Sequence, residues 1–282
     1  MSKVRKPMKR LIFNEGLSKF VAEDVNIKTT SGPKGHVVVK NLLGETIYEG
    51  LNKVVIAGSA FTASKHFKIS AEAMTPSYNE ILGLEHTIKE PAPNGVRDDE
   101  KVYLFAVGMD GCGPTPKEVY PVNYTSWISP DGLIPFRYQP VNNDLTPADR
   151  KKYFGRKLIE RDGRIAYYFK KFESISDTIQ QRYLDGTPID ENVYTSERTD
   201  EVETFVRMHL ILNREDCRDF FNLTVGQEES RVSSLSILTA WKKNINGIDY
   251  YQDIRPLTKF HFPVESLIDN SKGLDITYTL YY

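Results

Sequence analysis

Residues 102–138, VYLFAVGMDGCGPTPKEVYPVNYTSWISPDGLIPFRY, decide how the rest of the chain is read. The stretch opens with an apolar run, Val102 to Met109, interrupted only by Gly108. A run of this length bounded by turn signals reads as a strand buried on both faces. Asp110, Gly111, Cys112, Gly113 and Pro114 end it, because glycine admits unusual φ angles and proline removes a backbone donor. Prolines at 114, 116, 121, 130 and 135 then disfavour helix at and before each of them. Between them stand Tyr120, Tyr124, Trp127, Phe136 and Tyr138. That much aromatic surface without helix predicts a long loop pinned by its side chains.

Working outward, several segments alternate with the period of a strand. Residues 274–282, LDITYTLYY, place Leu274, Ile276, Tyr278, Leu280 and Tyr282 against Asp275, Thr277, Thr279 and Tyr281. Phe205 to Leu212 alternates in the same way, with Val206, Met208, Leu210 and Leu212 on one side. His36 to Lys40 is a brief β-branched run. Residues 157–172 read as a hairpin around Asp162-Gly163, a dipeptide suited to a tight primed turn. Val232 to Trp241 fits either helix or strand.

Helix is expected toward the N-terminus. In 11–25, Leu17, Phe20, Val21 and Val25 follow helical spacing. Residues 44–67 are the best helix candidate, with Ile47, Leu51, Val54, Val55 and Gly58 on one stripe; the alternative is helix over 44–57 and a loop from Gly58. The small residues Gly58 and Ser59 mark the close approach of another element. Thr146-Pro147 reads as a helix start, with Thr146 as N-cap. Residues 70–100 read as loop with one short strand at 87–89, and 213–221 as a short helix.

The fold class expected from these signals is a β-rich α+β protein: N-terminal helical segments, then mostly antiparallel sheet with long proline- and aromatic-rich loops. Residues 1–35 form an arm and short helix, and 36–282 the main body. A division near 139–150 and a polar excursion at 173–204 are expected within that body.

The chain has 282 residues, 40% hydrophobic and 27% charged, with a formal net charge of −1. That balance argues against a chain-wide nucleic-acid or membrane surface. Lys3, Arg5, Lys6, Lys9 and Arg10 depart from it. They read either as a contact for an acidic partner or DNA, or as a solvated chain end. No apolar run approaches the ~20 residues of a membrane-spanning helix, and the basic start is followed by no secretory h-region. Cys112 and Cys217 are too far apart in sequence to form a disulfide framework.

No catalytic or cofactor signature stands out in the chain. Gly58 to Lys65 lacks Walker spacing, and Gly111-Cys-Gly113 is too short for a dinucleotide fingerprint. The histidines at 36, 66, 86, 209 and 261 show no paired ligand spacing. Neither cofactor, metal nor small-molecule substrate is expected. Cys112 could serve as a nucleophile only with a distant histidine, so a cysteine-dependent enzyme is the remote alternative.

Two segments carry a resemblance: Asn41-Leu-Leu-Gly-Glu-Thr-Ile-Tyr-Glu-Gly-Leu-Asn52, and Phe105-Ala-Val-Gly-Met-Asp-Gly-Cys-Gly113 continuing to Phe136-Arg-Tyr138. Together they resemble segments of virion structural proteins of large tailed bacteriophages, over roughly residues 40–140. The resemblance implies a non-enzymatic protein that assembles with itself and other virion proteins in the host cytoplasm. Its implied place is the neck, connector or tail, often as a ring. The residues expected to carry assembly are Tyr120, Tyr124, Trp127, Phe136 and Arg137 in the loop, and Tyr278, Leu280 and Tyr282 in the last strand. The alternative is a peripheral tail or baseplate adaptor that attaches a fibre or binds host carbohydrate through exposed Trp127 or Trp241.

Overall fold

A computed structural model describes residues 8–14, 19–25, 34–67, 77–85, 100–111, 119–122, 132–189, 202–225, 231–266 and 273–282. Its centre is a long antiparallel hairpin, β13 (Arg231–Ile245) and β14 (Ile248–Ser266). Asn246 and Gly247, with φ of 52° and 82°, make the two-residue turn between them. Paired positive φ values match the twist of antiparallel strands, and Asn-Gly tolerates them best.

Strands assemble on both sides of this hairpin. They are β3 (Lys34–Asn41), β4 (Thr46–Val54), β5 (Glu100–Gly108), β6 (Leu133–Ile134), β7 (Arg137–Pro140), β8 (Tyr153–Ile159), β9 (Arg164–Lys171), β10 (Ser174–Ile175), β11 (Gln180–Tyr183), β12 (Val202–Leu212) and β15 (Leu274–Tyr281). The thirteen-stranded sheet runs β10-β12-β15-β3-β4-β14-β13-β5-β9-β7, with β11 on β12, β6 on β5 and β8 on β9. It curls into a half-barrel. β1 (Met8–Asn14) and β2 (Lys19–Val25) form a separate two-stranded ribbon.

As expected, β5 is buried on both faces. Phe105 and Val107 join the core inside the curl, with Phe136, Leu210, Ile237, Phe260 and Tyr278. Leu104 and Ala106 face a second core beneath α2 (Tyr78–Leu82), with Tyr78, Leu82, Phe154 and Tyr251. The predicted alternation holds over most of 205–212 and 274–282, but Phe205 rather than Val206 is buried and Tyr282 is exposed. Met208, Leu210, Leu212, Ile276, Tyr278 and Leu280 are all buried.

The expected α+β arrangement with N-terminal helical segments is overturned, because the described chain is mostly antiparallel sheet with a few short helices. Residues 11–25, read as helix, contribute to β1 and β2. Their register sets Phe13 opposite Phe20, Ile12 opposite Val21 and Arg10 opposite Glu23. Such cross-strand partners favour a ribbon, and the helical spacing was coincidental. Residues 46–54, also read as helix, are β4, paired with β3. Asn41 nucleates that hairpin: its Oδ1 accepts the amides of Leu43 and Glu45 at 3.0 and 2.9 Å.

Only the second half of the helix expected at 44–67 is present, as α1 (Ile56–Phe67), and the alternative of a loop beginning at Gly58 fails. The inference from Gly58 holds, since a Cβ there would overlap the Leu257 carbonyl oxygen of β14. The β8–β9 connection is a 3-10 turn at Glu160–Asp162 closed by Gly163 at φ 58°, longer than the two-residue turn expected. Thr146 does cap a turn, accepting the Asp149 amide at 3.2 Å, but the helix is the three-residue Asp149–Lys151. The 213–221 segment ends in α3 (Arg218–Phe220), also three residues. In the 173–204 excursion, β10 and β11 pair with β12. The strand expected at 87–89 lies outside the described residues.

Candidate functional site

The residues expected to carry assembly separate sharply. Phe136, Tyr278 and Leu280 are buried inside the curled sheet. Phe136 meets Phe105 edge to face at 5.1 Å between ring centroids. Arg137 also turns inward. Its guanidinium donates to the Tyr153 hydroxyl at 2.9 Å and stands 4.7 Å above that ring. Within this fold these four side chains hold the core and present no docking surface, and the strand at 274–281 is paired on both edges. Tyr120 and Tyr282 are exposed. Tyr124, Trp127, Lys3, Arg5, Lys6 and Cys112 lie outside the described residues, and Lys9 and Arg10 are described only as positions on β1. Trp241, the other proposed platform, is buried.

Arg137 belongs to a buried ionic cluster. Lys170 on β9 pairs with Asp216 at 2.6 Å and donates to the Ile211 carbonyl at 2.7 Å. Asp216 also accepts from the Tyr153 hydroxyl at 2.7 Å and from the Asn213 amide at 2.8 Å. Arg137 reaches Glu215 at 3.4 Å and Asp216 at 3.7 Å. Burial and the Asp216 carboxylate push the Tyr153 phenol well above its ordinary value. The next residue, Cys217, is buried at φ 64°, and burial with the Asp216 charge pushes its thiol up as well. A thiol held in that form is a poor nucleophile. The cluster ties β7, β8 and β9 to the segment after β12.

A second polar group sits where β5 ends. Asp110 accepts from the Ser234 hydroxyl at 2.6 Å and from Lys259 Nζ at 2.8 Å. Beside it, His261 Nδ1 lies 2.7 Å from the Tyr120 carbonyl. A carbonyl only accepts, so Nδ1 carries the hydrogen and Nε2 keeps a lone pair. His261 Nε2 is buried without a hydrogen-bond partner. Burial first, then the Lys259 charge, lower its pKa.

A cavity lies between the tip of the β13–β14 hairpin, the chain after α2 and strand β8. It encloses about 310 Å³. Asn79 of α2 fixes the hairpin in place. Its Nδ2 donates to the Tyr251 carbonyl at 3.0 Å, and its Oδ1 accepts the Ile254 amide at 2.9 Å. Ser77 and Glu80 form a capping box that starts α2, and Gly83 ends it at φ 60°. Phe154 and Tyr251 pack edge to face at 4.5 Å.

One flank of the cavity is an ionic lattice. Asp144 accepts from the Tyr167 hydroxyl at 2.7 Å and from Arg156 Nε at 3.2 Å, and it pairs with Arg150. Arg156 also pairs with Glu85. Burial and the Asp144 bond push the Tyr167 phenol up to about 12. Gly155, at φ 71°, lets β8 pass directly over the Phe169 ring, which any Cβ there would strike.

Sequence reading missed this cavity, although two of its signals are local. Ser77-Tyr-Asn-Glu80 is a capping-box pattern, and Asn246-Gly247 is a hairpin signal. The Asp144–Arg156–Glu85 lattice joins separate parts of the chain and has no local signature.

Among the described residues, no group of three or more His, Cys, Asp or Glu side chains is placed to hold a metal ion. Among the same residues, no helix is long and apolar enough to cross a membrane. No family model, curated protein or solved structure matches this chain.

Proposed function

We propose that this chain is a non-enzymatic structural component of a tailed-phage virion that assembles as an oligomer, as a ring at the head–tail junction or tail. The observation that carries this reading is the β1–β2 ribbon. It forms its own two-stranded sheet, touching the thirteen-stranded sheet where β2 approaches β4, and a two-stranded ribbon is marginally stable in water without further support. Its register pairs Leu11 with Ala22, Ile12 with Val21 and Phe13 with Phe20. Consecutive residues of a strand alternate between faces, so apolar pairs fall on both faces. A ribbon of that composition is suited to insertion into a neighbouring subunit.

The same register sets Lys9 opposite Asp24 and Arg10 opposite Glu23. Two of the five basic positions therefore have acidic positions as register partners.

Light scattering of the purified protein, with negative-stain imaging, tests the assembly. A closed ring that is lost when residues 1–33 are deleted is the expected result. A monomer at every concentration, with or without the ribbon, overturns it. Mass spectrometry of purified phage particles tests the virion assignment, which absence of the chain from particles would exclude.

A further inference from the structure

We propose that the cavity between the β13–β14 tip, β8 and the end of α2 is a binding site for a neutral hexopyranoside. This inference is independent of the assembly reading, because the cavity is complete within one chain.

The argument starts from charge. Four ionised side chains line the cavity: Arg150, Arg156, Glu85 and Asp249. They balance, and each is already engaged by an opposite charge. Arg156 pairs with Glu85 and Asp144, Arg150 with Asp144, and Asp249 with Lys242 at 3.3 Å. An anion site needs surplus donors of positive charge and a cation site surplus carboxylates. This lining offers neither. What it offers is fixed planar polar groups around an aromatic floor.

The floor consists of Phe154 and Tyr251, locked against each other, with Leu84 beside them and all three buried. Tyr250 and Ile248 are at the mouth, only partly buried or exposed. At about 310 Å³ the volume is at the lower end of ligand pockets, about 300–1,000 Å³. A pyranose ring suits such a chamber. Its C–H face packs on aromatic rings, and its hydroxyls both donate and accept. They can therefore use guanidinium hydrogens and carboxylate oxygens without disturbing the charge balance.

Arg150 lines one flank with its guanidinium paired to Asp144 and its side chain partly exposed. The remaining N–H groups of that guanidinium can donate to a sugar hydroxyl without any charge entering the cavity. The rigid setting favours binding too. Asn79 clamps the hairpin tip to α2 through two hydrogen bonds, so little ordering remains to be done when a ligand enters.

Saturation-transfer NMR on the full chain tests this directly, using the methyl glycosides of glucose, galactose and N-acetylglucosamine as probes and inorganic phosphate as the ionic control. The expected result is a saturable signal from at least one glycoside, concentrated on one C–H face of the ring. Tyr250→Ala should weaken it about tenfold. Arg150→Gln should weaken it comparably. Thermal melts of both variants identify any that fails to fold, and Tyr250, at the mouth, is the safer of the two. No saturable signal from any of the three glycosides overturns the proposal. So does a signal unchanged in folded Tyr250→Ala, or displacement of the glycoside by phosphate at equal concentration.

Discussion

Tyr278 on β15 donates its hydroxyl hydrogen to Thr258 Oγ1 on β14 at 2.7 Å, although β3 and β4 lie between those strands in the sheet. A side chain can bridge strands three positions apart only where the sheet curls back toward itself. The bond is fully buried, and burial raises the Tyr278 phenol well above its ordinary value. Tyr278→Phe leaves Thr258 Oγ1 without this donor in the core. The expected loss is about 1–2 kcal/mol, read as a lower urea midpoint with unchanged slope. An unchanged midpoint would mean that the curl does not depend on this bond.

Lys170 and Asp216 are both almost completely buried. Removing one partner of such a pair strands the other charge, a loss of about 3–5 kcal/mol. Lys170→Met should therefore destabilise strongly in chemical denaturation, even though methionine fills similar space. A loss below about 1 kcal/mol would show that Arg137, 3.7 Å from Asp216, compensates alone.

Gly58→Ala sets two effects in opposition. Helix propensity favours alanine by about 1 kcal/mol. Steric overlap with the Leu257 carbonyl opposes it, because that carbonyl is backbone of β14 and accepts the Val55 amide at 3.1 Å. Overpacking costs about 1–3 kcal/mol, so a net loss in melting temperature is expected. A gain would mean that α1 can lift from β14 freely.

The folded pKa of His261 is lowered from an ordinary 6.5, by burial and the nearby Lys259 charge. The unfolded chain then binds a proton that the folded chain refuses. Stability is complete above pH 6.5 and falls as pH drops from there toward the folded value, by at most about 1.4 kcal/mol per pH unit. Lys259 and Asp110 are the ionisable groups that face the ring. His261→Gln keeps a donor for the Tyr120 carbonyl but cannot titrate. Its stability should be flatter across that window, and parallel pH profiles would remove His261 as the cause.

Period-2 alternation was readable wherever one face of a strand meets the core and the other does not, as at 274–282. It failed where both faces are buried. In β13, Ser233, Ser234, Ser236 and Thr239 are as buried as their apolar neighbours. Hydrogen bonds keep them there, such as Ser236 Oγ to the Thr258 carbonyl at 2.7 Å. Hydropathy sees a polar interruption, while the sheet sees a satisfied core residue. In β4, apolar residues happen to follow a helical stripe, and pairing with β3 overrides it. Lys170 and Asp216 are 46 residues apart and meet only once the fold exists.

The position of β15 also shapes how the chain is made. β15 lies between β3 and β12, and Lys34 pairs with Tyr281, so β3 must wait for residues synthesised about 240 positions later. At about 5–20 residues per second, that is roughly 10–50 seconds on the ribosome. During that time one edge of β3 has no strand to pair with, and one edge of β12 waits for roughly the last 70 residues, each a template for unwanted pairing. A chain broken off before residue 274 keeps that gap permanently. Truncated products are thus marked for aggregation or degradation and kept out of any assembly that needs intact subunits.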